Sequence, residues 1–90
     1  MRAYEAIYEG IVQHVHFRAT IAGLAAIHRV NGWARNQIDG SVKVHIESNN
    51  PNEFCYAILY EKRTTNAIPI MTQLQQAQFM GYSDFTILET

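Results

Sequence analysis

The sequence predicts an α+β sandwich: a four-stranded antiparallel sheet with two helices on one face, in the order βαββαβ. Three observations predict it. Apolar and polar residues alternate with the period of a half-buried strand around residues 3–12, 42–47 and 70–79. Between these segments, residues 19–30 and 51–61 place their apolar side chains at helical spacing. A turn dipeptide, Asp39-Gly40, joins the two middle strands as a hairpin.

In the first strand Tyr4, Ala6, Tyr8 and Gly10 share one face, and Glu5 and Glu9 the other. Residues 13–18 leave room for one loop. The helix over 19–30 is rich in alanine, and Phe17, Ile21, Leu24 and His28 recur at its spacing. His28 and Arg29 in its last turn suit the negative end of the helix dipole, and Gly32 follows near the place of a C-cap. Residues 33–37 form a short strand. Beyond the turn, Val42, Val44 and Ile46 alternate with Lys43, His45 and Glu47, which puts His45 on the exposed face. Asn50 caps the second helix, Pro51 suits its first position, and Glu53 completes a capping box. Residues 70–79 alternate as the next strand, and 84–88 make a final short one. The face of the sheet away from the helices is expected to be the more solvated. This is the ferredoxin-like pattern; it hosts unrelated functions and selects none by itself.

Composition narrows the function classes. The chain has 90 residues, expected to form one domain over 1–90, and 48% of them are hydrophobic. Seven basic and eight acidic residues give a net charge of −1, without any run of Lys or Arg, so the electrostatic footprint of a nucleic-acid binder is missing. An anion bound here is small and held by a few placed groups. The single cysteine, Cys55, rules out an internal disulfide and is expected to pack in the second helix. With no signal-like or membrane-length apolar run, the expected setting is cytoplasmic, without membrane association and monomeric. His14 and His16, with His28 or His45 as a third group, do not spell a metal site, and no cofactor is implied.

Two segments carry chemistry. The first, Val12-Gln13-His14-Val15-His16-Phe17-Arg18, runs from a strand through a loop into a helix. A helix N-terminus offers unpaired N–H groups and a positive dipole end to an anion, and an arginine there adds a planar cationic fork that matches phosphate oxygens. The second, Gly32-Trp33-Ala34-Arg35-Asn36, precedes the Asp39-Gly40-Ser41 turn, with Trp33 as core or as a wall of the site. Taken separately, Arg18 reads more readily as a surface cation and Asn36 as a turn former.

Together the two segments resemble the acylphosphatase family, whose loop reads close to V-Q-G-V-x-F-R and whose later segment reads close to G-W-V-R-N followed by D-G-S-V. Tyr82-Ser83-Asp84-Phe85-Thr86-Ile87 is similar to the family's ending. The resemblance implies hydrolysis of small acyl phosphates to a carboxylate and inorganic phosphate. It implies that Arg18 and Asn36 are catalytic, with Asn36 orienting water. It also implies a phosphate cradle from the backbone N–H groups of Gln13, His14, Val15, His16, Phe17 and Arg18. The expected partner is a small acyl phosphate or inorganic phosphate. A carboxylate leaving group, with a conjugate acid of pKa about 4, needs no general acid, so the lack of a Ser-His-Asp or paired-carboxylate motif is no objection. The chain departs from the pattern at His14, where the family has glycine. If that position needs positive φ, His14 is strained or the loop shifts, which supports an alternative reading: a catalytically weak or inactive anion-binding or interaction module. His16 stands where the family varies, and Arg29 where it often has a helix-ending glycine.

Overall fold

The computed structural model describes residues 1–89; the last position of the expected 1–90 domain lies outside them. The elements are β1 (Ala3–Ile11), α1 (Phe17–His28), β2 (Asn31–Asn36), β3 (Val42–Glu47), α2 (Pro51–Tyr60), β4 (Ile68–Ala77) and β5 (Phe85–Leu88). The strands lie in the order β4-β1-β3-β2-β5.

The expected α+β, ferredoxin-like arrangement is present. β1 pairs antiparallel with β3 and β4, and β2 and β3 form the hairpin. The short final strand expected at 84–88 is present as β5; it joins the β2 edge in parallel, with Gly32 opposite Phe85, so the sheet has five strands and is mixed where four antiparallel strands were expected. The Gly32 N–H donates to the Asp84 carbonyl (3.0 Å), and Phe85 packs edge-on to Phe54 of α2. Segment 78–84 therefore carries the chain from the β4 edge across to the β2 edge. The strand order imposes this crossing, since β4 and β5 lie at opposite edges of the sheet.

Alternation puts Ala6, Tyr8, Ala34, Val42, Val44 and Ile46 on the helix side, where they pack with Phe17, Ile21, Phe54 and Ile58. Each buried large side chain there contributes about 1.5–3 kcal/mol. The opposite face is less solvated than expected. His45 does point to that face, but it is only 2% exposed. Its ring stacks on Trp33 (5.6 Å, 12° between planes) and meets the edge of Tyr82 from the crossing segment.

The helix ends also differ from expectation. The left-handed residue closing α1 is Arg29 (φ 57°, ψ 47°), whose N–H donates to the Ala25 carbonyl. Gly32 serves β2 instead: its φ is 142°, and a Cβ there would lie 1.9 Å from the His45 carbonyl oxygen. Asn50 does not cap α2 with its side chain. Its Nδ2 donates to Glu53 Oε2 (3.1 Å), while its N–H donates to Ser48 Oγ, so the reciprocal capping box never forms.

The two edges of the sheet are the short β5 and the long β4, ten residues without a charge. The register of β4 to β1 slips between Ile7 and Tyr8, leaving Thr72 as an extra residue, and Pro69 stands near its start.

Candidate active site

β1 ends at Ile11, and the chain turns through Val12–His16 into α1. His14 (φ 63°) and His16 (φ 59°) both adopt left-handed backbone, whereas Val15 between them does not. A backbone of alternating hand turns successive N–H groups toward one side and makes an anion-binding concavity. The strained alternative expected at His14 is thus the one adopted. His16, expected to be an unremarkable variable position, carries the same left-handed backbone as the N-cap of α1. No side chain caps that helix and no acidic residue stands in its first turn, so its leading N–H groups and dipole face no carboxylate of their own helix.

Two side chains brace this loop. Thr65 donates from Oγ1 to the Val15 carbonyl and accepts from the Ala67 N–H. Gln13 donates from Nε2 to the carbonyls of Gln37 (2.8 Å) and Ser41 (2.9 Å). The turn it grips is closed by Gln37 N–H to Ser41 O (2.8 Å) and by Asp39 Oδ1, which accepts from Ser41 Oγ and N. Those two bonds, the hydroxyl's first, hold the Asp39 carboxyl below its ordinary range.

Arg18, in the first turn of α1, is half-buried. One Nη1 hydrogen donates to the Leu88 carbonyl of β5 (3.0 Å). None of the five ion pairs among the described residues includes it. Asn36 ends β2 on the helix side, 8% exposed, and its Oδ1 is buried without a hydrogen-bond partner among the described residues. Leaving such an oxygen unsatisfied costs about 1–3 kcal/mol. Arg18 and Asn36, 18 positions apart in the chain, line one cavity of about 380 Å³ with Val12, His14, His16 and Ile87. A larger groove of about 550 Å³ lies between α2 and β4, walled by Tyr56, Tyr60, Pro69 and Ile70. It holds no cation, whereas the smaller cavity joins the Arg18 guanidinium to the loop at the head of α1.

The four histidines are not gathered. His14 and His16 line the cavity, His28 lies beside Phe54 and Glu53, and His45 sits between Glu5 and Glu47. Trp33 is neither core nor site wall; it stacks between His45 and the Arg35 guanidinium on the opposite face. Sequence reasoning missed Glu47, which is 1% exposed. It accepts from His45 Nε2 (2.9 Å) and from the N–H groups of Met80 (2.7 Å) and Tyr82 (2.8 Å). Burial alone raises its pKa, but these donors outweigh burial and the net shift is downward. The pair was signalled by its spacing, two acceptor- or donor-bearing residues at i and i+2 on one strand face. Tyr8 donates to the Cys55 carbonyl (3.3 Å) from the core. Burial pushes both the Tyr8 phenol and the Cys55 thiol up, so Cys55 packs and is a poor nucleophile.

The acylphosphatase family model matches residues 4–87. This chain belongs to the acylphosphatase family. An acylphosphatase of Leuconostoc mesenteroides is 37% identical over 62 residues, 69% of each chain, and one of Methanospirillum hungatei is 31% identical over 97% of each. The crystal structure of acylphosphatase from Bacillus subtilis superposes with a TM-score of 0.79 at 26% identity, covering 98% of this chain and 99% of that one. Acylphosphatase-type hydrolysis is thereby supported at the level of the family, with a small phosphate-bearing molecule as the substrate class. No described helix of this acylphosphatase-family chain is long and apolar enough to cross a membrane.

Proposed function

We propose that this protein hydrolyses small acyl phosphates to carboxylate and inorganic phosphate. In this reading the N–H groups of Gln13 to Arg18 and the Arg18 guanidinium bind the phosphoryl oxygens, and Asn36 holds the attacking water. The observation that carries it is the buried Asn36 Oδ1, unpartnered among the described residues, in the same cavity as Arg18. An oxygen in that state accepts a hydrogen from water and aims the water's lone pair away from itself, toward the phosphorus. The water oxygen bonds to phosphorus as the P–O bond to the acyl oxygen breaks; the carboxylate leaves without a proton, and the water's protons stay on the inorganic phosphate. A loose phosphoryl-transfer transition state asks mainly for alignment and for positive charge around its equatorial oxygens. The loop and Arg18 supply both.

Benzoyl phosphate hydrolysis is the direct test. Asn36→Ala should cut kcat on it by at least about tenfold and leave phosphate affinity within about twofold. Equal losses in both would make Asn36 a ground-state binding group instead.

The backbone at His14 favours a second reading, a slow or inactive anion-binding module. A left-handed non-glycine residue costs about 1–2 kcal/mol, and the loop bears that strain at the cradle itself. His14→Gly is expected to raise the unfolding free energy by about 1 kcal/mol and to tighten sulfate binding. Denaturant unfolding and a sulfate titration read by amide shifts check both. A variant that is less stable and binds sulfate more weakly would make the His14 ring an anion contact.

A further inference from the structure

We infer that the side chain of Gln13 is a positioning residue, the strut that sets Asn36 at its distance from the phosphate loop. The inference rests on the acyl-phosphate reading of the cavity. It concerns the side-chain amide, which is separate from the backbone N–H already placed in the cradle. Nε2 has two hydrogens, and both are spent on the neck of the β2–β3 turn, on the carbonyls of Gln37 (2.8 Å) and Ser41 (2.9 Å). Gln37 directly follows Asn36 and its carbonyl lies in the Gln37–Ile38 peptide, so the first of these bonds fixes the chain one peptide beyond the water-holding residue. Ser41 O also accepts from Gln37 N–H (2.8 Å), so the second bond locks the same neck from its other side.

No other side-chain hydrogen bond among the described residues links loop 12–16 to turn 37–41. Thr65 braces the loop at Val15 from the opposite direction, and Arg18 is tied to β5. Phosphate would be held by one segment and water by the other. Their separation is the in-line geometry, and a misplacement of about 1 Å costs roughly 100-fold in rate. A single amide that ties the two segments together therefore acts on kcat through Asn36 and leaves anion affinity to the loop.

The test uses Gln13→Met, which keeps length and packing and removes both donors, with Gln13→Asn, whose amide falls one methylene short, as a second variant. In the intact protein each should shift and broaden the Asn36 side-chain amide resonances. Sulfate affinity, read from the loop amides, should stay within about twofold of native, and kcat on benzoyl phosphate should fall at least about tenfold. In an Asn36→Ala background the Gln13→Met loss should disappear, because the strut would then have nothing to position. Unchanged Asn36 resonances, or a kcat loss fully additive with Asn36→Ala, overturns the inference. A native protein that shows no hydrolysis removes the acyl-phosphate reading, while the Asn36 resonances still decide whether Gln13 is the strut.

Discussion

Arg18→Gln is expected to lower kcat/KM for benzoyl phosphate by at least about 100-fold, the loss of about 3 kcal/mol of transition-state stabilisation. The substitution removes the charge and the fork while keeping a polar group of similar reach. The native guanidinium spends one hydrogen on the Leu88 carbonyl and forms no ion pair among the described residues. Its charge is thus not neutralised by a carboxylate of those residues, and its half-buried position in the cavity weakens screening by water. A glutamine can still meet Leu88, so the fold should survive, and circular dichroism should confirm it. Near-native turnover by a folded variant would take the phosphate role away from Arg18.

Glu47→Ala should be strongly destabilising, by about 3 kcal/mol, because it leaves a buried imidazole N–H and two part-buried backbone N–H groups without their acceptor. Those donors are His45 Nε2 and the N–H groups of Met80 and Tyr82. For a domain whose whole stability is about 5–15 kcal/mol, the Tm should fall by on the order of 20 °C. The carboxylate also gives the acid limb of the stability profile a definite sign. Its folded pKa lies below the ordinary 4.5. Its contribution is therefore complete above 4.5 and is lost as the pH drops through the folded value. Glu47→Gln, which cannot titrate and turns an amide donor toward donors, should lower stability at neutral pH and flatten that acid limb. Unfolding curves from pH 7 to pH 3 check both, and an acid limb as steep as the native one would mean that other carboxylates set it.

Much of this architecture was legible because it is local. Period-two alternation marks β3, the Asp39-Gly40 turn marks the hairpin, and alanine content marks α1. What escaped depends on contacts far apart in the chain. His45 was read onto the correct face, yet its burial is decided by Tyr82 and the rest of 78–84, more than 30 positions away. The same crossing decides that β5 pairs in parallel with β2. The Asn50 capping pattern was present in the residues, but two side chains bonded to each other in place of the backbone. For the site, the strand–loop–helix arginine and the strand-end asparagine were ambiguous separately and became specific as a pair of family-like blocks. The left-handed backbone at His16 had no such pattern to reveal it, and the i, i+2 spacing of His45 and Glu47 marks a shared strand face but not the burial that makes the pair matter.

Many sheets keep their outermost strand solitary by studding it with lysine or glutamate. β4 carries neither; the extra residue at Thr72 and the missing N–H of Pro69 interrupt its hydrogen-bonding rim by geometry. Charge-guarded rims weaken as ions crowd in and shorten the reach of repulsion to about 8 Å at physiological strength. This rim has no repulsion to lose, so whatever protection the bulge and the proline give it does not fade with added salt.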